Sequence, residues 1–452
     1  MKADILIIGA GPGGYETALK AARQGKSVVL FNGGDLGGTC LNHGCIPTKC
    51  LCRNAEVVST FKEGEKFGID DFTFTVDYNK ILSRKKEVVE TLRSGVDILL
   101  KQAKVTVVNS KASFKDSKTL IADGEEYSGD YIIIATGSVS KSLPIPGHDL
   151  QCVMDSTAIL NLEYIPARLT IIGGGVIGME FASIFHQLGS EVTVIEFMKQ
   201  ILPPFDSDIA KRLKQILTKK GINIITGAAA KDIRQNEFYE IEVIYEFKGK
   251  EEKVVSSDLL MAVGRAPMID GLNLEAAGIE FSVKGIPVDE SMQTNVPGIY
   301  AIGDVNAKMM LAHVASAQGE RVINVITGKE DKLRFDLIPS AVFTLPECGM
   351  VGKTEEQCKA EGLEIISGTS FFRANGKSLA MGETDGLCKL IFEKETEKLI
   401  GAHIMGLEAA DLAQQCADLM NRDTTLQEMR EIIFGHPTVS EVLISAANSV
   451  KV

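Results

Sequence analysis

A strand followed by a glycine-rich turn and a helix occurs twice in this chain, and this duplication restricts its fold more than any other feature. In the first copy an apolar strand leads into Gly9-x-Gly11-x-x-Gly14, and the pattern predicts a helix over Tyr15–Gln24 and a second strand over Ser27–Phe31. Glycines at this spacing permit a tight turn, close approach of the backbone to a pyrophosphate, and close packing of helix on strand. The positive end of the helix favours the phosphate charge. The sequence therefore predicts a dinucleotide-binding α/β domain rather than an ordinary strand-to-helix turn.

The second copy lies 164 residues further along, because Gly173, Gly175 and Gly178 repeat the glycines at 9, 11 and 14. Two such units predict two bound dinucleotides with electron transfer between them; the alternative is that one unit is vestigial. Glu196, which lies 18 residues after Gly178, can accept both ribose hydroxyls and repels a 2′-phosphate. This site is therefore predicted to bind NAD(H) rather than NADP(H). Asn32 occupies the matching place in the first unit, where an uncharged amide makes a weaker ribose contact.

Two cysteines five residues apart, Cys40 and Cys45, form the second informative feature. They lie between glycines and Pro47, and their spacing is too short for the two arms of a structural disulfide, so we interpret them as a redox pair. Thiol exchange requires a thiolate, an accessible sulfur and a nearby base. Because Cys45 precedes Pro47, it fits the first turn of a helix, where the dipole favours a thiolate. The neighbouring Cys50 and Cys52 are interpreted as small buried apolar residues.

Composition argues against several classes of function. A net charge of −12 over 452 residues gives no electrostatic support for nucleic-acid binding. The nine cysteines show neither a secreted disulfide framework nor the paired spacing of a zinc site, so no metal site is predicted. The chain lacks a signal-peptide core and any run of about 18 apolar residues. These features predict a soluble protein of the reducing cytoplasm without a membrane segment.

Towards the end of the chain the pattern changes. Residues 338–452 alternate strand-like runs with polar turns and contain no dinucleotide fingerprint, which predicts a separate α+β domain. Its last feature is the segment His436-Pro-Thr-Val-Ser-Glu441. Before this domain, a short strand ends in Gly303-Asp304, where a carboxylate could bind a polyol hydroxyl; the alternative for Asp304 is a helix cap.

These segments together resemble the pyridine nucleotide-disulphide oxidoreductases over essentially the whole chain, and within that family the dihydrolipoamide dehydrogenase branch most closely. They are, in order, the Gly9 fingerprint, GGTCLNHGCIPTK at 37–49, the Gly173 fingerprint with Glu180 and Glu196, Gly303-Asp304, and HPTVSE at 436–441. The resemblance implies an α/β fold with two Rossmann-like domains that bind FAD and NAD(P), as in glutathione reductase, plus a C-terminal α+β dimerisation domain. The implied division is 1–147 and 271–337 for the two parts of the FAD and central domain, 148–270 for the NAD domain, and 338–452 for the dimerisation domain.

The resemblance also implies a role for each residue of the redox site. In this family electrons pass between a nicotinamide, FAD, the cysteine pair and a disulfide substrate. Cys45 would lie against the flavin as the charge-transfer thiolate, and Cys40 would exchange with the substrate sulfur. His436 would be the acid–base group, with Glu441 orienting its ring. In the family this tail comes from the partner subunit, so the resemblance implies a homodimer with two shared active sites.

The remaining implied site residues contact the cofactors. Lys49 and Glu180 would form an ion pair beside the flavin and the nicotinamide. The implied FAD contacts are Gly9, Gly11, Gly14, Asn32, Gly38, Thr39, Lys49, Ala112, Thr136, Gly137, Ser138, Asp304, Met310, Leu311, Ala312 and His313. The implied NAD contacts are Gly173, Gly175, Gly178, Glu180, Glu196 and Gly264.

The implied function is FAD-dependent oxidation of protein-bound dihydrolipoamide with reduction of NAD⁺, as the E3 or L component of a 2-oxo acid dehydrogenase or glycine cleavage system. The lipoyl group would come from a partner, an E2 or glycine cleavage H protein. Another NAD(P)H-dependent disulfide reductase of the family is an alternative. Glu196 favours the lipoamide branch, as does Val176, where glutathione reductases tend to carry a tyrosine. A flavoprotein redox sensor or assembly subunit is an alternative of a different class, and the HPTVSE segment argues against it.

Three positions depart from the family pattern. Asn32 replaces the usual ribose-binding glutamate, which bears on FAD affinity. Phe434 stands where a second histidine is frequent in this branch. His43 lies between the redox cysteines, where a valine is common, and could alter the local thiolate balance.

Overall fold

The computed structural model describes residues 1–451. Within these residues the strands are β1 (Lys2–Ile8), β2 (Val28–Phe31), β3 (Thr106–Val108), β4 (Ser113–Asp116), β5 (Thr119–Ala122), β6 (Glu125–Ile134), β7 (Ser138–Ser140), β8 (Val153–Met154), β9 (Arg168–Ile172), β10 (Glu191–Glu196), β11 (Asn223–Thr226), β12 (Ala228–Gln235), β13 (Ile241–Phe247), β14 (Lys250–Ser256), β15 (Asp258–Met261), β16 (Arg265–Pro267), β17 (Ile299–Ala301), β18 (Ser340–Val342), β19 (Cys348–Gly352), β20 (Ile365–Phe371), β21 (Leu387–Glu393) and β22 (Leu399–Met405).

The α-helices of the same residues are α1 (Pro12–Arg23), α2 (Gly38–His43), α3 (Cys45–Lys62), α4 (Tyr78–Gln102), α5 (Ser156–Leu160), α6 (Val176–Leu188), α7 (Ser207–Lys219), α8 (Ala312–Ile326), α9 (Glu355–Ala360), α10 (Gly376–Met381), α11 (Ala409–Asn421), α12 (Leu426–Glu431) and α13 (Glu441–Ser449). Short 3₁₀ segments occur at Gly64–Phe67, Leu274–Ala277, Gly303–Asn306 and Phe372–Ala374.

The chain divides into two compact units, each built from three separate segments. The first unit comprises Met1–Cys50, Asn79–Lys141 and Gly264–Leu333. The second unit comprises Leu51–Tyr78, Ser142–Val263 and Arg334–Val452, of which Val452 lies outside the described residues. The predicted four-part division at residues 147, 270 and 337 stays a prediction.

The first unit is organised around the apolar strand β1. Six strands of its sheet follow the order β3-β2-β1-β6-β5-β4. The seventh strand, β17, lies outside this order and pairs with β6. Parallel pairing puts Ile5 opposite Val28 of β2 and Tyr131 of β6. Both faces of a central parallel strand are covered, so an unbroken apolar run such as that of β1 is the composition such a strand requires. Ile5, Leu6 and Ile7 accordingly have no solvent exposure.

Small residues bring α1 and α8 into close contact within this unit. A Cβ atom at Gly319 would overlap the hydroxyl of Thr17, and one at Gly13 would lie 3.1 Å from Cβ of Ala315. Because α1 follows the first glycine turn and α8 follows the Gly303–Asn306 segment, this packing brings the beginnings of the two helices together.

The second unit contains the other glycine turn and the C-terminal sheet. Its five-stranded sheet has the order β11-β10-β9-β15-β8, and every pair in it is parallel. The antiparallel strands β12-β13-β14 form a smaller sheet in the same unit. A second five-stranded sheet, β18-β19-β22-β21-β20, is antiparallel throughout and packs with α11 and α13 around a core that includes Leu390, Ile404, Leu412 and Leu443.

The predicted fold class is confirmed. One parallel sheet and one mixed sheet with a parallel centre, each with a glycine turn after its central strand, form the nucleotide-binding parts of an α/β protein. The antiparallel sheet with its helices forms the α+β part. Within residues 1–451, none of the helices is long and apolar enough to span a membrane.

Candidate active site

Two of the three positions in the first glycine turn accept no residue other than glycine. Gly9 has a φ of +107°, and a Cβ atom there would overlap the carbonyl oxygen of Ala135. A Cβ at Gly14 would overlap the carbonyl oxygen of Gly9, so helix and strand approach too closely for any side chain. At Gly11, in contrast, the nearest atom to an added Cβ is Cα of Gly38 at 3.8 Å. The turn therefore leaves room above Gly11, at the N-terminus of α1, where a pyrophosphate fits.

The second turn repeats this geometry. Gly173 has a φ of +112°, and a Cβ there would overlap the carbonyl oxygen of Ala262. A Cβ at Gly178 would overlap the carbonyl oxygen of Gly173, whereas one at Gly175 would meet no atom within 4 Å. The second unit thus offers the same open position at the start of α6, and the residues present fit a second dinucleotide.

The residues predicted to contact the ribose groups are held differently in the two units. Glu196 ends β10 and is buried; its carboxylate accepts hydrogen bonds from the backbone N–H of Gly174 at 2.5 Å and of Met198 at 2.6 Å. These bonds fix the carboxylate against the glycine turn. Asn32 follows β2 and donates its side-chain amide to Oδ1 of Asn109 at 3.1 Å. At the place of the ribose contact, the first unit therefore offers the hydrogen-bonded side-chain amides of Asn32 and Asn109. The second unit offers the carboxylate of Glu196.

The two redox cysteines are brought into contact. Cys40 lies half-buried in α2, and Cys45 is exposed as the first residue of α3, as the position of Pro47 predicted. The side chains of the two cysteines share a hydrogen bond. That hydrogen bond and then burial raise the pKa of Cys40, while the positive charge of Lys49 acts in the opposite direction.

His436 and Glu441, which were predicted to act as an acid–base pair, are in contact. Nδ1 of His436 lies 3.0 Å from Oε1 of Glu441, the first residue of α13. Oε2 of the same carboxylate accepts the backbone N–H of Thr438 at 2.9 Å. These two hydrogen bonds, that of Thr438 first, lower the pKa of Glu441. The peptide bond between His436 and Pro437 is cis, and 77% of the histidine side chain is exposed.

Asp304 belongs to a polar network in the first unit and not to a helix cap. It lies in the Gly303–Asn306 segment, and its Oδ2 accepts the hydroxyl of Ser138 at 2.5 Å. Nε of Arg265 donates to the Ser138 hydroxyl at 2.7 Å, and Nη2 donates to the Ser138 carbonyl oxygen at 2.7 Å. The structure thus brings together two predicted FAD contacts, Asp304 and Ser138, and adds Arg265, which the sequence analysis missed.

The other predicted FAD contacts are spread over the elements around this network. Thr136 donates its hydroxyl to the carbonyl oxygen of Met268 at 2.7 Å, and Gly137 has a φ of +75°. Leu311 is the N-cap of α8, so residues 310–313 surround the start of that helix. Ala112 is buried beside β4, and Thr39 is exposed in α2.

Three predicted contacts concern the nicotinamide side of the site. Glu180 is buried in α6, where its Oε1 accepts the backbone N–H of Phe343 at 3.0 Å. Lys49 lies in the first unit and Glu180 in the second, and their ion pair stays a prediction. Gly264 is at the beginning of the last segment of the first unit, where its carbonyl oxygen accepts the N–H of Lys141 at 2.9 Å. Its contact with NAD also stays a prediction.

Tyr15 is a further residue that the sequence analysis missed. It is in α1, directly after Gly14, and its hydroxyl donates to Glu16 at 3.2 Å. Burial, then Glu16, and then the nearby thiol of Cys40 raise the pKa of Tyr15. The only signal in the sequence is that Tyr15 follows the fingerprint at the start of the helix. Its proximity to Cys40 depends on tertiary packing.

Two open glycine turns, a contacting pair of thiols and a histidine–carboxylate pair define an oxidoreductase that uses dinucleotide cofactors and a dithiol. Comparison with known families agrees. Residues 3–319 match the model of the pyridine nucleotide-disulphide oxidoreductases, and residues 338–447 match the dimerisation domain of the same family. The chain belongs to the pyridine nucleotide-disulphide oxidoreductase family.

Individual relatives share nearly the full length. The chain is 38% identical to a dihydrolipoyl dehydrogenase of Bacillus subtilis (strain 168), over 98% of this chain and 97% of that protein. It is 37% identical to the dihydrolipoyl dehydrogenase of Geobacillus stearothermophilus, over 99% of this chain and 96% of that protein. Among solved structures, the Cu(II) complex of the HOCl-induced flavoprotein disulfide reductase RclA from Escherichia coli is 31% identical, with a TM-score of 0.89 over all of both chains.

Membership of this family identifies the cofactors and the assembly. The protein is a flavoprotein oxidoreductase that uses FAD and a pyridine nucleotide, and its two glycine turns are the positions that fit them. The dimerisation domain at 338–447 identifies it as a homodimer. The predictions of an oxidoreductase of this family and of its two cofactors are therefore confirmed.

Proposed function

We propose that the protein oxidises dihydrolipoamide carried on a lipoyl-bearing protein to lipoamide, with reduction of NAD⁺ to NADH and release of one proton. The lipoyl carrier would be the E2 of a 2-oxo acid dehydrogenase or the H protein of a glycine cleavage system. The observation that carries the proposal is the contact between the thiols of Cys40 and Cys45 at the junction of α2 and α3. Similarity to dihydrolipoyl dehydrogenases over 98% of the chain supports dihydrolipoamide as the substrate.

In this proposal the substrate exchanges with Cys40. The step starts from the Cys40–Cys45 disulfide. His436 takes the proton of one substrate thiol, and the resulting thiolate attacks Sγ of Cys40, which breaks the Cys40–Cys45 bond and releases Cys45 as a thiolate. The second substrate thiol, deprotonated in turn, attacks the substrate sulfur of the mixed disulfide and releases Cys40, which completes the disulfide of lipoamide. Glu441, at 3.0 Å from Nδ1 of His436, holds the ring in place.

The cofactor-binding residues divide between the two units. FAD, when bound, supplies the two-electron carrier between the dithiol and NAD⁺. Gly11 and the Ser138–Asp304 network would hold the FAD, and Lys49 would lie beside the redox pair and the flavin. The pyrophosphate of NAD would lie at Gly175, with the adenosine ribose on Glu196. Because the carboxylate of Glu196 is negative and fixed by two backbone N–H groups, it repels a 2′-phosphate, and NAD is proposed over NADP.

Another disulfide reductase of the same family is the second candidate. The similarity to the flavoprotein disulfide reductase RclA over all of both chains favours it. In that case the same thiol pair would run in the reducing direction, with NAD(P)H as the electron source and a disulfide other than lipoamide as the acceptor. The same thiol pair can carry electrons in either direction. The identity of the sulfur substrate therefore decides between the two candidate functions.

A substrate panel on the purified, flavin-loaded dimer tests the proposal. Dihydrolipoamide with NAD⁺ should give the highest kcat/KM, above lipoamide, glutathione disulfide and CoA disulfide assayed with NADH or NADPH. Glu196→Ala should narrow the preference for NAD over NADP while leaving the ranking of the sulfur substrates unchanged. A preparation that turns over glutathione disulfide or CoA disulfide but not dihydrolipoamide would exclude the lipoamide assignment in favour of the second candidate.

A further inference from the structure

The loop that follows Glu196, residues 197–206, is attached at two points to the second glycine turn and to the carboxylate beside it. The backbone N–H of Met198 donates to the carboxylate of Glu196 at 2.6 Å. The backbone N–H of Leu202 donates to the carbonyl oxygen of Gly174 at 2.9 Å. Gly174 in turn donates its own N–H to Glu196 at 2.5 Å, so the loop, the turn and the carboxylate form one hydrogen-bonded set. A displacement of the loop would therefore displace the groups proposed to contact NAD.

Leu202, in the middle of this loop, has a backbone conformation that leucine rarely adopts. Its φ is +48°, in the left-handed region that favours glycine, and its side chain has no solvent exposure. A residue with a side chain costs free energy in this region and persists there only where the surrounding structure enforces it. The neighbouring side chains of Ile201 and Phe205 are buried as well. The loop therefore keeps this shape only while contacts on both sides of Leu202 hold it.

A buried ion pair holds the far end of the loop. Asp206 is the N-cap of α7, and both of its carboxylate oxygens lie 3.1 Å from Nζ of Lys389 in β21. The Asp206 side chain has no solvent exposure, and that of Lys389 is 5% exposed. Asp208 of α7 and Glu355 of α9 contact the same ammonium at 2.7 Å and 3.2 Å. Lys389 therefore joins the end of the loop to the C-terminal antiparallel sheet, within the second unit.

The surroundings of Lys389 favour its charged form. Burial lowers the pKa of the lysine, but the carboxylates of Asp208, Asp206 and Glu355 outweigh burial, and the pKa is raised. Removing one partner of a buried pair leaves the other charge without compensation, which is strongly unfavourable. An exposed pair, in contrast, contributes little because water replaces the partner. The contact between Asp206 and Lys389 is therefore a firm attachment for the loop.

We propose that Lys389 and Asp206 are positioning residues for NAD. Their ion pair fixes the end of residues 197–206. Through that loop it fixes Gly174 and the carboxylate of Glu196, on which the adenosine ribose would lie. Neither residue contacts NAD itself, and Lys389 belongs to the dimerisation domain, so that domain supports the nucleotide site from outside. The inference rests on the proposed function only in placing NAD at the second glycine turn.

Binding of NAD⁺ and NADP⁺ to the flavin-loaded dimer, measured by isothermal titration calorimetry, tests this inference. Asp206→Asn removes the charge and keeps a side chain that suits an N-cap. It should raise the Kd of NAD⁺ by about fivefold, within the range that substitutions along a contact network produce. The Kd of NADP⁺ should rise less, because NAD⁺ is the ligand that uses Glu196. Hydrogen exchange of residues 197–206, followed by mass spectrometry, should be faster than in wild type because the loop opens more often.

Two further variants separate positioning from a general loss of stability. Lys389→Met breaks the same pair from the other side and should also narrow the preference for NAD⁺. In the double variant the two effects should not add, because both act through one contact. Asp331→Asn is the control, since it weakens a largely buried ion pair of the first unit, with Arg321. It should lower the melting temperature and leave both Kd values unchanged.

The Asp206 variant decides the outcome even if Lys389→Met does not fold. Wild-type Kd values in Asp206→Asn, or an equal loss of preference in Asp331→Asn, would overturn the proposal. Glu196→Ala distinguishes this failure from failure of the proposed NAD site. If Glu196→Ala keeps the wild-type ratio of the two Kd values, the NAD site is misplaced and both proposals are overturned. If it narrows the ratio while Asp206→Asn does not, only the positioning role is overturned.

Discussion

The histidine–carboxylate pair is the group of side chains whose chemistry can be tested most directly. His436→Ala should lower kcat for dihydrolipoamide oxidation by roughly 10²–10⁴, the usual contribution of a positioned acid or base. Flavin content and thermal stability should not change, because 77% of this side chain is exposed and its removal leaves no cavity. Steady-state assay and flavin absorbance are the measurements. Turnover equal to that of wild type would show that another group moves the proton.

Glu441 provides the matched control for this prediction. Its pKa is lowered by the hydrogen bonds from Thr438 and His436, so the folded protein favours the carboxylate. A carboxyl group with a lowered folded pKa contributes stability above its unfolded pKa, and that contribution is lost as the pH falls through the folded value. The carboxylate is therefore present at neutral pH, where catalysis takes place. Glu441→Gln should keep the fold and reduce kcat less than the loss of the histidine.

Individual site residues could be predicted when their chemistry lies within one short motif. The cysteine pair, the glycine turns and the His436–Glu441 pair each fall within six residues. Local spacing pointed to the first two, and the resemblance of the HPTVSE segment to the family pointed to the third. Arg265 lies 127 residues from Ser138, and only the packing of the first unit makes it a neighbour. The departure at His43 was visible in the sequence, but its contact with Asp35, which in turn contacts Arg93 of α4, depends on how the chain packs.

At the level of elements, the glycine turn of the second unit allows a matched pair of substitutions. Gly175→Ala should fold with an unchanged melting temperature, because no atom lies within 4 Å of the added Cβ, but should raise KM for NAD⁺ by crowding the pyrophosphate. Gly178→Ala should lower the melting temperature, since its Cβ would overlap the carbonyl oxygen of Gly173 and push α6 from its strand. Thermal unfolding and NAD⁺ titration distinguish them. Equal stability loss in both variants would contradict the open position at Gly175.

The elements themselves were largely predictable, and their beginnings were not. The pattern predicted the first helix from Tyr15, whereas α1 begins at Pro12 and includes Gly13 and the last fingerprint glycine, Gly14. Glycine has a low helix propensity, so the pattern alone places these residues in the turn. Tertiary contact overrides the propensity here, because close packing of α1 on the strand and on α8 requires residues without side chains.

At the scale of the whole molecule, the duplicated glycine turn predicted two nucleotide-binding sheets, and the change of pattern at residue 338 predicted a further domain. What the sequence could not reveal is how the chain divides. Each of the two compact units takes three separate segments, and α3 begins in the first unit at Cys45 and continues into the second from Leu51. This division arises from contacts between residues far apart in the sequence. The periodicity of a short stretch of sequence carries no information about such contacts.

Complementation between subunits tests the proposed sharing of the active site. The redox cysteines belong to the first unit, and the exposed His436 belongs to the second, so a homodimer could combine them across subunits. Chains carrying Cys40→Ser and His436→Ala, each with a different affinity tag, are produced together and the heterodimer is isolated. If sites are shared, one site combines the intact cysteines of one chain with the intact histidine of the other. The heterodimer should then have about half of wild-type turnover, since a twofold dimer has two equivalent sites.

The same heterodimer gives the opposite result if each site is built within one chain. Every site would then carry one defect, and turnover would stay at the level of the two homodimeric variants. Flavin content of the heterodimer serves as the internal control, because both chains retain the residues proposed to hold FAD. Recovered activity would therefore arise from the pairing of cysteines and histidine across the dimer, and it would make the dimer a requirement of catalysis.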